Sequence, residues 1–309
     1  WASTAVAAYE HAINAGGSPK DIETILQLVY LNFTAPRFDD RDLNNLKKMY
    51  APYFANMEQD PNYICSKELQ KTLFNNHYRQ QITSAAQIEA LNIATLQSVH
   101  SQLYGYADDF RFVIAGNIDL ETLKPLVEKY IGSLPTSKKV EYAVVDDGVR
   151  TAEGKVTNDF RTPMQQPKVS VRLNYTGAIE NNAKNRLIVD LLGRALDSRY
   201  MVSIREEKGG TYGVGVGGSI DKYPVETYQL SIGFDTNEAL ADELIEICDA
   251  EIRKIAEEGP LYDDIAKSKE FLQKNYNNVL ESNNGWISAI SRSYDEGYNY
   301  KDEYLGILE

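Results

Sequence analysis

The stretch Ile204-Arg205-Glu206-Glu207-Lys208-Gly209-Gly210-Thr211-Tyr212-Gly213-Val214-Gly215-Val216, residues 204–216, decides how the second half of this chain is read. It opens as the end of a helix that delivers Arg205. Gly209 and Gly210 then turn the chain, since glycine enters turn conformations without a Cβ penalty. Tyr212, Val214 and Val216 alternate with small neighbours, as in a half-buried strand. The glycines from 213 to 218 have a superficial likeness to a nucleotide loop, but no Lys-Ser or Lys-Thr follows them, so a phosphate cradle is not supported. Glycines in a strand mark either the close approach of another backbone, such as a bound peptide, or a bulged, sharply twisted strand. Both readings stay open on the sequence.

Working outward, the same helix and strand periods recur. Val169, Val171, Leu173 and Tyr175 alternate, and Ile188, Leu191, Leu192, Ala195 and Leu196 then share a helical face. Beyond the quoted stretch, Tyr228, Leu230, Ile232 and Phe234 alternate again. Two long helices follow, one carrying Leu244, Cys248, Ile252 and Ile255 and the other Ile265, Leu272, Tyr276 and Leu280, separated at Gly259-Pro260. The first third reads as mainly helical. A helix is predicted over Thr4–Ala15, stopped by Gly16-Gly17. A second is capped by Ser18 with Pro19 at its first position, and two more run over Arg41–Tyr50 and Ala85–Leu103. A strand is predicted at Phe110, Phe112 and Ile114, then a helix capped by Asp119. Residues 136–158 read as a polar linker with a short strand over Glu141–Val145. Sheets beside long helices define an α+β fold class.

Composition narrows the function. The chain has 309 residues, 32 Lys plus Arg against 45 Asp plus Glu, and a formal charge of -13. Nucleic-acid binding is disfavoured, because phosphate contacts need clustered cations. An acidic surface serves solubility or steers basic peptides. Cys65 and Cys248 make neither a disulfide framework nor a CxxC site, and both read as free thiols. No run of about 18 apolar residues occurs, so no membrane span is predicted. The opening Trp-Ala-Ser-Thr lacks the features of a signal peptide and an initiator Met, which reads as a processed or excised piece.

Histidine supply decides the metal question. Only His11, His77 and His100 exist, and neither HExxH nor HxxEH occurs. A hydrolytic zinc site commonly needs two His on one helical face and a third ligand, so no metal site and no catalytic residue is predicted in this chain. A nucleophilic triad is equally unsupported, since no GxSxG is present. What remains is the Arg205–Tyr212 segment. Arg offers a planar fork of donors and Tyr a single hydroxyl, and both suit a carbonyl oxygen. The alternative is structural, with Arg205 bridging to a nearby carboxylate.

At these residues the chain resembles a known family. IREEKGGTYGVGV at Ile204–Val216 is similar to the Arg-Tyr motif of the insulinase or pitrilysin-type zinc peptidases, the M16 family. FVIAGNIDLETLKPLVEKYIGSLP at Phe112–Pro135 resembles the segment closing one domain of that family, and SPKDIETILQLVYLNFTAPRFD at Ser18–Asp39 resembles the third domain of its bacterial zinc protease subgroup. The resemblance covers nearly the whole chain. It implies two M16 domains of the LuxS/MPP-like metallohydrolase type, each a mostly antiparallel sheet covered by helices. Residues 1–142 would be the third domain, 143–149 a linker, and 150–309 the fourth domain with the Arg/Tyr motif. In the family the first domain holds zinc and the last contacts substrate, so substrate-binding roles fall on Arg205 and Tyr212, with no cofactor bound here and zinc expected in an N-terminal half.

The departures matter as much. Ala7-Ala8-Tyr9-Glu10-His11 is either an eroded HxxEH or a coincidence in an Ala-rich helix, and a self-sufficient enzyme using Glu10 and His11 is the remotest reading. Arg37–Tyr53 resembles the source of the acidic ligand in active copies, yet offers Asp39, Asp40 and Asp42 and no Glu. Gly17 meets Ser18 sooner than in the family's third domain, and no closing strand-helix like that at Phe112–Pro135 follows Tyr304; whether segments are missing near Gly17 and after Glu309 stays open on the sequence. The resemblance implies a piece of a metalloendopeptidase that is inactive alone, partnered by a zinc-bearing half in the same polypeptide or another subunit, acting on peptide and located in the periplasm. The rival is a catalytically inactive structural or binding subunit of the same fold.

Overall fold

A computed structural model describes residues 1–137, 143–209 and 211–309. These form two compact units, Trp1–Ile64 with Gln81–Val145, and Cys65–Gln80 with Asp146–Glu309.

The first unit opens with a hairpin where a helix was predicted. β1 (Ala2–Val6) pairs antiparallel with β2 (His11–Ala15), Ala2 opposite Ala15 and Val6 opposite His11. The turn is closed by the Ala7 N–H donating to Glu10 O at 2.8 Å. Alanine favours helix only weakly, and tertiary contacts override it. Ala2, Ile13 and Ala15 pack onto the cluster of Val29, Phe33, Tyr104 and Leu134, and the buried Tyr104 hydroxyl donates between Ala5 O (2.8 Å) and Ala12 O (3.1 Å).

A short 3-10 turn at Pro19–Asp21 leads into α1 (Ile22–Thr34). α2 (Asp40–Met57) is capped by the Asp39 carboxylate, which accepts from the Arg41 and Asp42 N–H groups, and it runs past the predicted end at Tyr50 with Pro52 inside it. α3 (Pro61–Leu73) was not predicted. The single helix predicted over 85–103 is two, α4 (Ala85–Ala90), with a Ser84/Gln87 capping box, and α5 (Ile93–Tyr104). The break comes at Leu91-Asn92, where the Asn92 side chain accepts from the Thr95 N–H and restarts the helix. α6 (Leu120–Tyr130) is capped by Asp119 as predicted.

Residues 110–114 lie in no strand. Their Phe110 and Phe112 rings instead join an aromatic cluster with Phe33, where Phe33 and Phe110 meet edge to face at 4.8 Å. Of the strand predicted over 141–145, Glu141 and Tyr142 lie outside the described residues and 143–145 are not in a strand.

The second unit is built on a three-stranded antiparallel sheet of β3 (Val169–Ala178), β4 (Val214–Asp221) and β5 (Thr227–Thr236), in the order β3-β5-β4. The registers align Val171 with Phe234 and Val214, and Arg172 with Gly233 and Gly215. Period-two alternation then sorts the faces. Val171, Leu230, Ile232 and Phe234 are buried beneath α7 (Ala183–Tyr200) and α8 (Ala241–Glu258), which add Ala195, Leu196, Tyr200, Leu244, Cys248 and Ile255 to one core. α9 (Tyr262–Leu280), α10 (Asn283–Glu296) and α11 (Tyr300–Leu308) build a second, tyrosine-rich cluster around Tyr276, Tyr300 and Tyr304. The molecule is therefore mixed helix and sheet, as the alternation in the sequence predicts.

Candidate functional site at the sheet of the second unit

α7 does not stop at Tyr200. It passes into a π-helical turn, Met201–Glu206, in which the Glu207 N–H donates five residues back to Val202 O at 3.0 Å. π-turns insert an extra residue and re-aim the side chains that follow. The turn is anchored from below. Arg199, buried at the end of α7, meets Glu251 of α8 with Nε to Oε2 at 2.5 Å, and the Tyr200 hydroxyl donates to Cys248 O at 3.0 Å. Burial pushes the Tyr200 phenol upward and lifts the Cys248 thiol to about 12, so both groups are neutral at ordinary pH. The same helix–sheet layer holds Tyr175, whose hydroxyl bonds to Asp249, and burial followed by that carboxylate raises its phenol.

Arg205 is exposed at the end of this turn. Its Nη1 lies 3.1 Å from Met201 Sδ, and no carboxylate pairs with it among the described residues. The nearby cation Lys208 is instead held by Glu243 at 2.6 Å. Gly209 follows with φ +59°, a left-handed turn that glycine adopts freely. Tyr212 is fully exposed and stands two residues ahead of β4, not within the strand where the alternation puts it. Arg205 and Tyr212 thus sit at the two ends of one short connection between the α7 turn and β4.

The open face of the sheet lies beside that connection. Arg172, Asn174, Gln229, Ser231, Gly215 and Gly217 floor a cleft of 740 Å³ that Tyr212 also lines. A second cleft, of 680 Å³, lies along β3 between the 150–160 segment and residues 65–73. The glycines of β4 separate by cause. A Cβ on Gly218 would lie 2.5 Å from Val189 O, so this glycine admits α7, whereas Gly215 and Gly217 face the cleft. Sequence reasoning missed Arg172 and the polar row beside it. Their only signal was the polar half of the β3 and β5 alternation.

His11 and His100 both pack on the Tyr104 ring, and neither belongs to a metal-holding group among the described residues. His11 packs edge to face on Tyr104 (5.3 Å) and Phe110 (5.0 Å). His100 packs on Phe38 and Tyr104, and His77 Nδ1 accepts from the Arg79 N–H at 3.3 Å. Glu10 and His11 flank a hairpin turn and so cannot belong to a helical motif, eroded or intact. Of the acidic run, Asp39 caps α2 and Asp42 pairs with Arg37 at 2.5 Å. Among the described residues no group of three or more His, Cys, Asp or Glu could hold a metal ion. The described residues therefore offer no set that fits zinc.

Helices over a small antiparallel sheet, with a polar face beside an Arg-Tyr connection, define the class of fold. The model of the peptidase M16 inactive domain matches residues 90–272, more than half of the sequence, and the chain belongs to that family. A zinc protease PQQL-like protein of Arabidopsis thaliana is 24% identical over 287 residues, covering 89% of this chain and 30% of the relative. The crystal structure of the periplasmic protease PqqL from Escherichia coli superposes with a TM-score of 0.86 at 19% identity, over 100% of this chain and 34% of that one. The ferredoxin protease FusC, in complex with Arabidopsis ferredoxin, superposes with a TM-score of 0.72 at 12% identity, again over 100% of this chain and 34% of that one. The chain thus spans about a third of the length of these relatives. No helix among the described residues is long and apolar enough to cross a membrane.

Proposed function

We propose that this chain is the non-catalytic C-terminal half of a zinc metallopeptidase. In this reading it closes a chamber against an N-terminal half, which holds the zinc and hydrolyses the peptide, and Arg205 and Tyr212 contact the substrate. The observation that carries the proposal is the pairing of a family match to the inactive domain with an Arg205 that has no carboxylate to serve among the described residues. An exposed guanidinium and an exposed phenol at the two ends of one connection are donors with unspent capacity. Donors aimed at a carbonyl whose oxygen gains charge stabilise the transition state, and losing one costs about a hundredfold or more in rate. The relatives' names support a protease, and the periplasm is the compartment named for the Escherichia coli structure. We assign the same compartment to this chain by analogy. The division of labour by domains, with residues 1–142 and 150–309 as the third and fourth domains of such an enzyme, belongs to the same proposal.

The test uses the complete zinc-bearing protein. Arg205→Ala is expected to lower kcat by about a hundredfold while KM changes much less, since an interaction confined to the transition state leaves ground-state binding alone. An unchanged kcat would return Arg205 to a structural role and favour a binding subunit without catalysis.

A further inference from the structure

We infer that Arg172 is a carboxylate-reading residue in the cleft beside Tyr212, and that the peptide taken up there carries an acidic side chain or a free C-terminus at that position. This rests on the reading that Tyr212 contacts peptide, and it adds what the peptide must look like.

The argument starts from the register. Arg172 of β3, Gly233 of β5 and Gly215 of β4 lie in one row across the open face of the sheet. With no side chain on either neighbour, the Arg172 side chain lies down across Gly233. A Cβ placed there would meet Arg172 Cδ at 3.2 Å and Nε at 3.5 Å. The guanidinium is fixed in that pose, because Nη1 donates to Val171 O at 2.7 Å and to Phe234 O at 3.2 Å. No group among the described residues takes the Nε–H or the Nη2 hydrogens. An arginine pinned through one nitrogen keeps its other donors as a ready fork, and a fork of parallel N–H groups matches a carboxylate in two-point geometry.

The local charge favours an anion. Asp235 is the one carboxylate lining this cleft among the described residues, and it is already held by Lys168 at 2.6 Å, with Arg172 Nη1 at 3.6 Å. Lys168 lies outside the cleft's lining and takes up Asp235 at the shorter distance, so the Arg172 charge within the cleft is only partly balanced. β4 also leaves room for backbone, since Gly215 and Gly217 present no side chain to an incoming strand. Tyr212 lines the same cleft, so one extended peptide can meet the phenol and the guanidinium together.

The test measures binding of fluorescein-labelled peptides to the 309-residue chain by anisotropy. Three peptides of one apolar sequence are compared: Glu at one position with an amidated C-terminus, Gln there with an amidated C-terminus, and Gln there with a free C-terminus. One or both carboxylate peptides are expected to bind about tenfold tighter than the neutral amide, the low end for a charge-assisted pair at a part-exposed site. Whichever is tighter identifies the source of the carboxylate. Arg172→Gln is expected to bring that ratio to about one and Arg172→Lys to keep part of it. Gly233→Val, which keeps the arginine but lifts it from its bed, is expected to lose the preference too, and this separates recognition from any loosening of the sheet. Near-ultraviolet circular dichroism confirms that each variant is folded. A preference that survives in folded Arg172→Gln, while Tyr212→Ala weakens all three peptides, overturns this inference and leaves the proposed function standing. Failure of the chain to bind any of them, or indifference to Tyr212→Ala, overturns both.

Discussion

Replacing Glu251 by Gln tests how the segment that carries Arg205 is held in place. Arg199 and Glu251 form an ion pair between the end of α7 and α8 at 2.5 Å, with the two side chains 7% and 19% exposed. Gln keeps the volume and removes the charge, so the variant leaves a guanidinium in the interior with no counter-charge. Breaking a buried pair by removing one partner costs roughly 3–5 kcal/mol, much more than the net worth of the pair itself. The partial exposure of Glu251 admits some water to the site, which places the cost near the lower bound, about 3 kcal/mol. For a unit of this size each kcal/mol moves Tm by roughly 2–4 °C, so Glu251→Gln is expected to lower Tm by about 6–12 °C. Differential scanning calorimetry reads this directly. The difference should persist between 50 and 500 mM salt, to order of magnitude, because buried pairs are screened little. Converting both partners, Arg199→Met with Glu251→Leu, should recover most of the loss. A Tm change below about 1 °C, or one that high salt removes, would refute the view that this pair is a buried strut beneath the π-turn.

Other outcomes follow from the same packing. Gly218→Val should cost several kcal/mol, roughly 3 or more, because its Cβ would stand 2.5 Å from the backbone Val189 O, while Gly215→Val on the open face should be far milder; urea denaturation separates the two. Cys248 should resist alkylation at pH 8 in the folded chain while the part-exposed Cys65 reacts, as mass spectrometry after iodoacetamide would show. The Cys248 thiol is raised by burial from an ordinary 9.0 to about 12, so the folded chain keeps a proton that the unfolded chain releases. That contribution to stability is complete below pH 9 and is lost as the pH climbs from there toward 12, so Tm should fall on the alkaline side, and Cys248→Ala should lessen the fall.

The second unit was the more legible in sequence, and the reason is burial on one side only. In β3 and β5 the apolar set Val169, Val171, Leu173 and Leu230, Ile232, Phe234 faces helices while polar residues face the cleft, which writes a clean period of two. The hairpin at Ala2–Ala15 writes no such signal, because its residues are small and a long-range hydroxyl from Tyr104 holds it. Phe110 and Phe112 show the opposite error, an alternation that serves aromatic packing without a strand partner. The break at Leu91-Asn92 and the run of α2 through Pro52 depend on cap geometry and on the tolerance of a single Pro, which composition does not settle. Arg205 and Tyr212 became candidates through the motif alone, and their contact with substrate is a proposal. Arg172 did not become a candidate, because what sets it apart is the cross-strand row with Gly233 and Gly215, and rows appear only once the register is known.

The central claim is that bond cleavage needs a second half. Its most direct test is peptide hydrolysis, followed by fluorescence, with the 309-residue chain alone, the zinc-bearing half alone, and the two mixed. The account predicts no turnover from this chain by itself and turnover from the mixture that falls on Arg205→Ala. Hydrolysis by the isolated chain that a chelator abolishes would contradict it.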